Sequence, residues 1–352
     1  MGEINPHSFR RLLIIRLSSI GDVVLTTPVI RTLHKQYPDI KIDYLIKEQF
    51  KDLIAYHPAL DTIRTIPKDF SFKQLVDLHK QLQSSGKYDF ILDLHDNLRS
   101  RVLTLRGNLP YRRYNKHRFY RWLYVYWKIP TSAIEPYITD RYFEAARPLG
   151  ISDDGEGLDF YFPDDFKFAT SSLAAQAKSF GDAEQPITMA PGAAWPTKQW
   201  LPERFVEVGK HLIDNYHATI ALLGGPAEQE LSGQIRDGID RPDSVLDFTG
   251  KTSLLETAKI LEKSGLHIGN DSGLTHIATA FKTKVLVIFG STARPLAFHP
   301  KYTQHFIAED PELSCRPCTH MGRSECPLGH LRCMKNVQVE DVLNGVRQLG
   351  IA

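Results

Sequence analysis

Short apolar runs alternate with stretches of helical spacing along most of the chain. In the first half the apolar runs cover residues 11–17, 42–46, 62–66, 90–94 and 158–162. In the second half they cover residues 187–190, 219–223, 245–248, 266–268, 285–289 and 305–308. Strands that alternate with helices predict an α/β protein with parallel, doubly wound sheets.

Two α/β domains follow from this count, and we expect them to face each other across a cleft. The first domain is predicted at residues 1–180 and the second at residues 181–352. A final amphipathic helix at residues 339–349 could pack back across the first domain, which the pattern alone does not decide. Ligands of such sheets bind at the carboxyl ends of the strands, so the polar turns there carry the candidate chemistry.

The polar turn at residues 269–273 (GNDSG) lies between an apolar run and a predicted helix. Small and hydroxyl residues let backbone N–H groups approach a phosphate at a helix N-terminus, where the helix dipole favours negative charge. The turn therefore predicts a phosphate or phosphosugar site. The alternative is that Asp271 or Ser272 only caps the helix, as these residue types often do.

Two further turns of the second half carry charged side chains. Lys198 lies in the loop after the run at residues 187–190, and Glu228 follows Gly-Gly-Pro after the run at residues 219–223. Each could be an ordinary surface charge, and Glu228 could compensate a helix dipole. Together with the helix after Asp271, a cation for a diphosphate and an acid for a ribose predict a nucleotide-sugar site.

The composition is that of a soluble globular protein: 42% of the 352 residues are hydrophobic, 24% are charged and the net charge is +2. No apolar run is long enough to span a membrane, and the N-terminal apolar run is too short for a secretory signal. We therefore expect a cytoplasmic protein.

Residues 99–128 contain nine Lys or Arg and eight aromatic residues but no Asp or Glu. In a protein of low net charge this stretch predicts an acidic partner, either a nucleic acid or an anionic membrane surface. The alternative is a solvated basic face whose aromatic side chains lie in the core, which is common for charge runs.

The segments LLIIRLSSIGDVVLTTPVI, PGAAWPTKQW and GNDSGLTHIATA together resemble glycosyltransferase family 9, the heptosyltransferases of lipopolysaccharide core synthesis. The resemblance covers most of the chain. It implies a GT-B fold with two Rossmann-like domains, an acceptor-binding first domain and a donor-binding second domain. It also implies ADP-heptose as donor, a lipid A-linked inner core as acceptor, inversion at the sugar carbon and no metal requirement.

The resemblance assigns roles to residues of the second domain. Lys198 matches the family's diphosphate-binding lysine, Asp271 matches its donor-binding aspartate, and Glu228 falls at an acidic ribose contact. The remaining residues of the family's donor loop correspond to Ser272, Gly273 and His276.

Asp22, in the turn after the first strand, matches the family's proposed general base. An inverting transfer needs a carboxylate to take the proton of the acceptor hydroxyl. The alternative is that Asp22 only caps the helix that begins nearby. The basic stretch takes an acceptor-side role, because the lipid-linked core carries carboxylates and phosphates. Its candidate acceptor contacts are Arg99, Arg112 and Arg113.

All four cysteines lie close together, with the spacing Cys-x2-Cys-x7-Cys-x6-Cys, at Cys315, Cys318, Cys326 and Cys333. This spacing suits a tetrahedral structural zinc ion, which a reducing cytoplasm favours over disulfides. Free or redox-active thiols are the alternative. Neither interpretation makes the cysteines catalytic.

We therefore expect a monomeric enzyme that contacts the cytoplasmic face of the inner membrane and has no nucleic-acid partner. Which heptose is added, whether the sugar is a heptose and which base the donor carries stay open. One alternative is another GT-B nucleotide-sugar enzyme, such as a UDP-sugar transferase or an epimerase. The other is a zinc-containing nucleic-acid-binding module.

Overall fold

The structure of the chain, a computed structural model, describes residues 6–105, 107, 109–296 and 298–351. It divides into two compact units, one of Met1–Arg118 with Pro136–Phe162 and the other of Phe119–Glu135 with Pro163–Ala352. The division falls at residue 162, earlier than the expected boundary at residue 180. It also assigns residues 119–128, the end of the basic stretch that is rich in aromatic residues, to the second unit.

The first unit contains a five-stranded parallel sheet, as predicted. Its strands are β1 (Arg11–Ile15), β2 (Lys41–Lys47), β3 (Thr62–Ile66), β4 (Phe90–Asp93) and β5 (Tyr111–Arg113). The helices up to residue 162 are α1 (Ile20–Val24), α2 (Thr27–Gln36), α3 (Phe72–Ser84), α4 (Leu98–Leu103), α5 (Arg118–Trp122) and α6 (Ile138–Ala146). The strand order is β3-β2-β1-β4-β5.

The second unit contains a six-stranded parallel sheet. Its strands are β6 (Gln185–Ala190), β7 (Ala218–Leu222), β8 (Val245–Asp247), β9 (Leu266–Asn270), β10 (Lys284–Ile288) and β11 (His305–Ala308). Its helices are α7 (Ser171–Gly181), α8 (Pro202–Tyr216), α9 (Gln229–Ile239), α10 (Leu254–Glu262), α11 (Gly273–Ala280), α12 (Arg332–Lys335) and α13 (Val339–Gln348). The strand order is β11-β10-β9-β6-β7-β8.

Both sheets reverse their strand order beside the first strand of the unit, between β1 and β4 in one and between β6 and β9 in the other. The central strands are apolar and buried because helices cover both faces of such a sheet. A reversal point of this kind opens a crevice at the carboxyl ends of the strands, where ligands of doubly wound sheets bind. Each unit therefore has one favoured edge for a site.

The predicted strand at residues 158–162 does not form. Side chains of α2 bind its backbone instead: Thr27 Oγ1 accepts the Asp159 N–H at 2.9 Å, and Arg31 donates to the Gly157 carbonyl at 2.9 Å. The short strand β5, with two arginines among three residues, has too few apolar positions to be recognised from the sequence.

The last helix packs within the second unit. Val342, Leu343 and Val346 of α13 belong to the core of the second unit, which also includes Leu286 of β10. A Cβ atom at Gly345 would come within 2.4 Å of the Phe306 ring, so glycine allows this close packing. Among the described residues, no helix is long and apolar enough to cross a membrane.

Candidate functional site

Asp22 lies in α1, just beyond the end of β1. Its Oδ1 atom is 2.6 Å from the Arg16 guanidinium. Its Oδ2 atom accepts hydrogen bonds from the Ser19 hydroxyl at 2.7 Å and the Ser19 backbone N–H at 3.2 Å. The Ser19 contacts are those of a helix cap, whereas the ion pair with Arg16 has no part in capping. The side chain is 19% exposed, so a ligand can reach it.

Arg16 is held firmly, because its guanidinium donates to the carbonyls of Ser18 at 2.8 Å and Leu94 at 2.5 Å. Its side chain is buried and lies over the Tyr142 ring. Burial alone would raise the pKa of Asp22, but the Arg16 cation and the Ser19 hydrogen bonds outweigh it and lower that pKa. Asp22 is therefore ionised at neutral pH, as a general base must be.

His95 after β4 and Lys116 after β5 also interact electrostatically with Asp22. Burial, with the Arg16 cation acting in the same direction, lowers the pKa of His95 to about 3 and that of Lys116 to about 8. His95 is therefore neutral at pH 7. Of the described residues, none places a carboxylate within ion-pair distance of Lys116, so its ammonium group can bind an anionic ligand.

The three predicted acceptor-side arginines have different surroundings. Arg113 Nε lies 3.0 Å from the buried carboxylate of Asp93, so the charge of Arg113 serves the fold. Arg99 and Arg112 are half-buried, and no carboxylate of the described chain lies within ion-pair distance of either. Arg112 donates to the carbonyl of Tyr111 at 3.1 Å. Of these three arginines, only Arg99 and Arg112 therefore have a guanidinium group that can bind an anionic ligand.

In the second unit, two of the predicted donor residues form an ion pair. Lys198 Nζ lies 2.7 Å from Asp271 Oδ2, and each side chain is 12% exposed. The Thr292 hydroxyl donates to the same oxygen at 3.0 Å. β6 and β9 are neighbours in register, with Ala190 beside Gly269, so their following turns lie side by side. Asp271 thus holds the ammonium group of Lys198 in place.

Helix α11 begins at Gly273, next to this ion pair. Ser272 is its N-cap residue but makes no side-chain capping hydrogen bond, and its buried Oγ has no hydrogen-bond partner among the described residues. The Asp271 carboxylate bonds to Lys198 and Thr292 instead. Neither Asp271 nor Ser272 forms the predicted capping hydrogen bond, so the first backbone N–H groups of α11 can bind an anion.

His276 of α11 is 4% exposed and therefore part of the buried side of that helix.

Glu228 packs against the loop that carries Lys198. Its Oε2 accepts the Gly225 N–H at 2.7 Å, which is a helix-start contact. A Cβ atom at Gly192 would lie within 2.4 Å of Glu228 Cγ, so the glycine leaves room for that side chain. The turns after β6 and β7 are therefore in contact.

A buried asparagine that the sequence analysis did not single out holds the Lys198 loop at both ends. Asn270 Oδ1 accepts the Trp200 N–H at 3.0 Å, and Asn270 Nδ2 donates to the Pro191 carbonyl at 2.7 Å. Arg16 in the first unit was also missed. The sequence contains the same indication for both residues, because each is a polar residue inside or at the end of an apolar strand run. A polar side chain that is buried there needs hydrogen-bond or ion-pair partners.

The four cysteines are free thiols in the segment after β11. Of the described residues, no group of three or more His, Cys, Asp or Glu side chains could hold a metal ion, so the structural zinc is not confirmed. Burial would raise the pKa of the Cys326 thiol, but nearby backbone N–H groups outweigh burial and lower it. Burial raises the pKa of Cys333 to about 11. Cys326 is thus the more readily ionised of these two thiols.

The chain is similar to known glycosyltransferases. The sequence model of glycosyltransferase family 9 (heptosyltransferase) matches residues 75–328. Lipopolysaccharide heptosyltransferase 3 of Escherichia coli K12 is 27% identical over 301 residues, which cover 82% of this chain and 84% of that protein.

Two solved structures share the fold along nearly the whole chain. The glycosyltransferase family 9 protein of Veillonella parvula has a TM-score of 0.74 at 20% identity, covering 99% of each chain. The E. coli heptosyltransferase WaaC with ADP has a TM-score of 0.66 at 19% identity, covering 97% of this chain and 100% of WaaC. The fold is therefore the GT-B fold of the heptosyltransferases.

Proposed function

This chain belongs to glycosyltransferase family 9, and on that premise we propose that it transfers a heptose from ADP-heptose to the inner core of lipopolysaccharide. The observation that carries the proposal is the Lys198–Asp271 ion pair beside the uncapped N-terminus of α11. The family membership and the name of the E. coli relative support a heptose transfer. WaaC with ADP supports an adenine nucleotide as donor.

The second unit binds the donor in this proposal. The diphosphate lies at the N-terminus of α11, where the first N–H groups and the Ser272 hydroxyl donate hydrogen bonds to it and the helix dipole favours its charge. Lys198 contributes the cation, and Glu228 accepts a hydrogen bond from the ribose. Asp271 contacts the sugar with the carboxylate oxygen that faces away from Lys198.

The transfer inverts the sugar carbon and needs no metal ion. Asp22 takes the proton of the acceptor hydroxyl as that oxygen bonds to the anomeric carbon of the heptose. The bond from that carbon to the diphosphate oxygen breaks at the same time, and ADP leaves with the electron pair. Lys198 and the N-terminus of α11 stabilise the negative charge that develops on the diphosphate.

The first unit binds the acceptor, an anionic core oligosaccharide linked to lipid A. Lys116, Arg99 and Arg112 are cations that no described carboxylate neutralises, and they bind the acceptor's carboxylates and phosphates. Because the acceptor is a lipid, the enzyme works at the cytoplasmic face of the inner membrane. We expect it to work there as a monomer.

Thermal unfolding with different nucleotides tests the donor. ADP and ADP-heptose should raise the melting temperature, because a ligand that binds only the folded state stabilises it. UDP and GDP should do so much less. In the Lys198→Ala variant the ADP effect should shrink. A larger rise in melting temperature with UDP than with ADP would indicate that the donor is a UDP-sugar and not ADP-heptose.

Transfer itself is measured as ADP release from ADP-heptose with purified core acceptor, followed by mass spectrometry of the product. The product should be heavier by one heptose. ADP release that does not depend on the acceptor, with no glycosylated product, would contradict the proposed acceptor and leave only a donor-binding function.

A further inference from the structure

Residues 119–129, which we call the aromatic segment, expose an unusual amount of apolar surface. The segment contains the end of α5, a π-helical turn at Leu123–Trp127 and the residues that follow. Six of its large side chains are between 42% and 65% exposed. They are Phe119, Tyr120, Trp122, Tyr126, Trp127 and Ile129. The expectation that aromatic residues of this stretch lie in the core holds for Tyr114 outside the segment, and not for the five aromatic residues among these six.

The exposed rings form one continuous patch. Trp122 is at its centre, with ring centroids 6.3 Å from Phe119, 5.9 Å from Tyr126 and 6.5 Å from Trp127. Phe119 in turn contacts Tyr120 at 5.7 Å. Single exposed apolar residues are common on protein surfaces, whereas a contiguous patch indicates a binding surface.

The aromatic segment is anchored to the second unit, although the chain before Phe119 and the chain at Pro136–Phe162 belong to the first. The Lys128 ammonium group donates to the Val125 carbonyl at 2.7 Å, to the Cys315 carbonyl at 3.2 Å and to the carbonyl of Pro317. Val125 itself is buried. Lys128 therefore acts as an internal tether, and the patch is presented by the unit that holds the Lys198–Asp271 pair.

The charge around the patch favours an anionic surface. Residues 97–134 contain no Asp or Glu. Arg118, whose side chain is 57% exposed and whose guanidinium group lies 3.6 Å from the Asp96 carboxylate, immediately precedes the segment, and Arg121 lies within it. Tyrosine and tryptophan are the residues that settle at the boundary between lipid headgroups and acyl chains, while nearby arginines attract anionic headgroups.

A nucleic acid fits this patch less well than a bilayer. Stacking with bases requires ring faces that are open to solvent. Phe119 and Trp122 lie nearly parallel, with 21° between their planes and 6.3 Å between their centroids, so part of each ring faces the other and not the solvent. A bilayer interface instead needs exposed ring edges and apolar area, which the patch provides.

We propose that the aromatic segment is the membrane-docking surface of this protein, and that it binds an anionic bilayer by burying its aromatic side chains at the headgroup level. The proposal rests on the proposed function only in that a lipid-linked acceptor requires work at a membrane. It assigns membrane docking to the second unit, which binds the donor, whereas the acceptor-side arginines Arg99 and Arg112 lie in the first unit.

Sedimentation with vesicles tests this assignment. The wild-type protein should bind vesicles of phosphatidylethanolamine with phosphatidylglycerol, and bind vesicles of phosphatidylcholine much less. The double variant Trp122→Ser with Trp127→Ser should lose roughly tenfold or more of its affinity for the anionic vesicles. The matched control is Phe72→Ser, an exposed aromatic residue on α3 of the first unit, which should bind as the wild type does.

Tryptophan fluorescence gives a second measurement that needs no variant. The chain has four tryptophans, and two of them lie in the aromatic segment. Trp200 is 1% exposed and supplies a constant background. Brominated phosphatidylglycerol in the vesicles should quench the emission of the wild-type protein. Absence of quenching, or equal vesicle binding by the double variant, would overturn the proposal.

Other occupants of the patch give different results. If the wild-type protein is a dimer that the double variant converts to a monomer, the patch is an interface between two copies, and the proposal is wrong. If the double variant loses binding to a single-stranded oligonucleotide and not to vesicles, the partner is a nucleic acid. ADP-dependent thermal stabilisation, measured on the same proteins, reports separately on the proposed function.

Discussion

Asp22 combines a structural and a chemical contact in one carboxylate. One oxygen accepts the Ser19 hydrogen bonds that belong to a helix cap, and the other pairs with Arg16. The structure therefore contains the features expected of both hypotheses, so geometry alone does not separate a cap from a base. A substitution that preserves the cap and removes the basicity does separate them.

Replacement of Asp22 by Asn should lower turnover by roughly 10²- to 10⁴-fold, because an amide cannot take the acceptor proton. The melting temperature should fall, because Asn keeps the Ser19 contacts of the cap but leaves the buried guanidinium of Arg16 without its charged partner. ADP affinity, measured by calorimetry, should match the wild type. Wild-type turnover in folded Asp22→Asn protein would leave Asp22 with the capping role alone.

Lys116 should make acceptor binding depend on pH. Burial lowers its pKa to about 8 in the ligand-free protein, and a bound anion would favour the charged form and raise that pKa. Below about pH 8 the ammonium group is present to bind the acceptor; above it the amine is neutral. The KM for the acceptor should therefore rise above that pH.

The control for this pH dependence is Lys116→Met, which keeps most of the side-chain volume. Its acceptor KM should be higher at pH 7 and should lose the rise above pH 8, while ADP affinity stays unchanged. If the variant shows the same pH profile as the wild-type protein, another group is responsible and Lys116 does not bind the acceptor.

At the scale of elements, the β9–α11 turn depends on groups from its neighbours in the sheet. Asn270 fastens the loop after β6, and the ion pair between Lys198 and Asp271 joins the same two turns. Three parallel strands in the order β10-β9-β6 place their following turns together, so Thr292 after β10 completes the arrangement. The site is therefore a property of adjacent turns, not of one motif.

The two members of the ion pair should respond differently to substitution. Lys198→Ala should weaken ADP binding by about 1.5–3 kcal/mol, since a charge-assisted contact to the diphosphate is lost. Asp271→Asn should leave ADP binding at least as strong, because a negative charge near the diphosphate disappears. Transfer from ADP-heptose should nevertheless fall in both variants.

Calorimetry with ADP and a transfer assay with ADP-heptose distinguish these effects. A loss of ADP affinity in Asp271→Asn as large as that in Lys198→Ala would show that the carboxylate acts by positioning the lysine. Thermal unfolding without ligand shows whether either variant is folded.

At the scale of the whole molecule, the basic stretch is divided between the two units. Its arginines before residue 119 and the exposed Tyr111 belong to the first unit, and its exposed aromatic residues from Phe119 onwards belong to the second. Some of its charge is internal: Arg113 neutralises buried Asp93, and Lys128 binds backbone carbonyls. The net charge that faces a partner is therefore smaller than the count of basic residues implies.

Adjacent arginines of β5 should give opposite outcomes. Arg112→Glu should fold normally and raise the KM for the anionic acceptor, more strongly at low salt, where screening is weak. Arg113→Glu should lower the free energy of unfolding by about 3–5 kcal/mol or more, because buried Asp93 loses its partner and gains a like charge. Urea unfolding and acceptor titrations at two ionic strengths measure both. Equal stability of the two variants would contradict the assignment.

The sequence by itself determined the alternation of strands and helices, because the apolar core strands and the amphipathic helices obey local periodicities. β3 and β11 have the predicted bounds, and the other predicted strands, apart from 158–162, differ by few residues. The positions of Asp22, Lys198 and Asp271 at strand ends followed from the same pattern. Their proposed roles came from the family resemblance.

Only the tertiary structure decided which charges are matched. That Lys198 pairs with Asp271 and Arg113 with Asp93 depends on strand order, which places these residues side by side. Arg16 and Asp22 are close in the chain, and their pairing depends on the turn between β1 and α1. The allocation of Phe119–Glu135 to the second unit and of α13 to the second core has the same origin. Periodicity indicates which side of a helix or strand is buried. The element that packs against that side is often distant in the chain, so no local pattern identifies it.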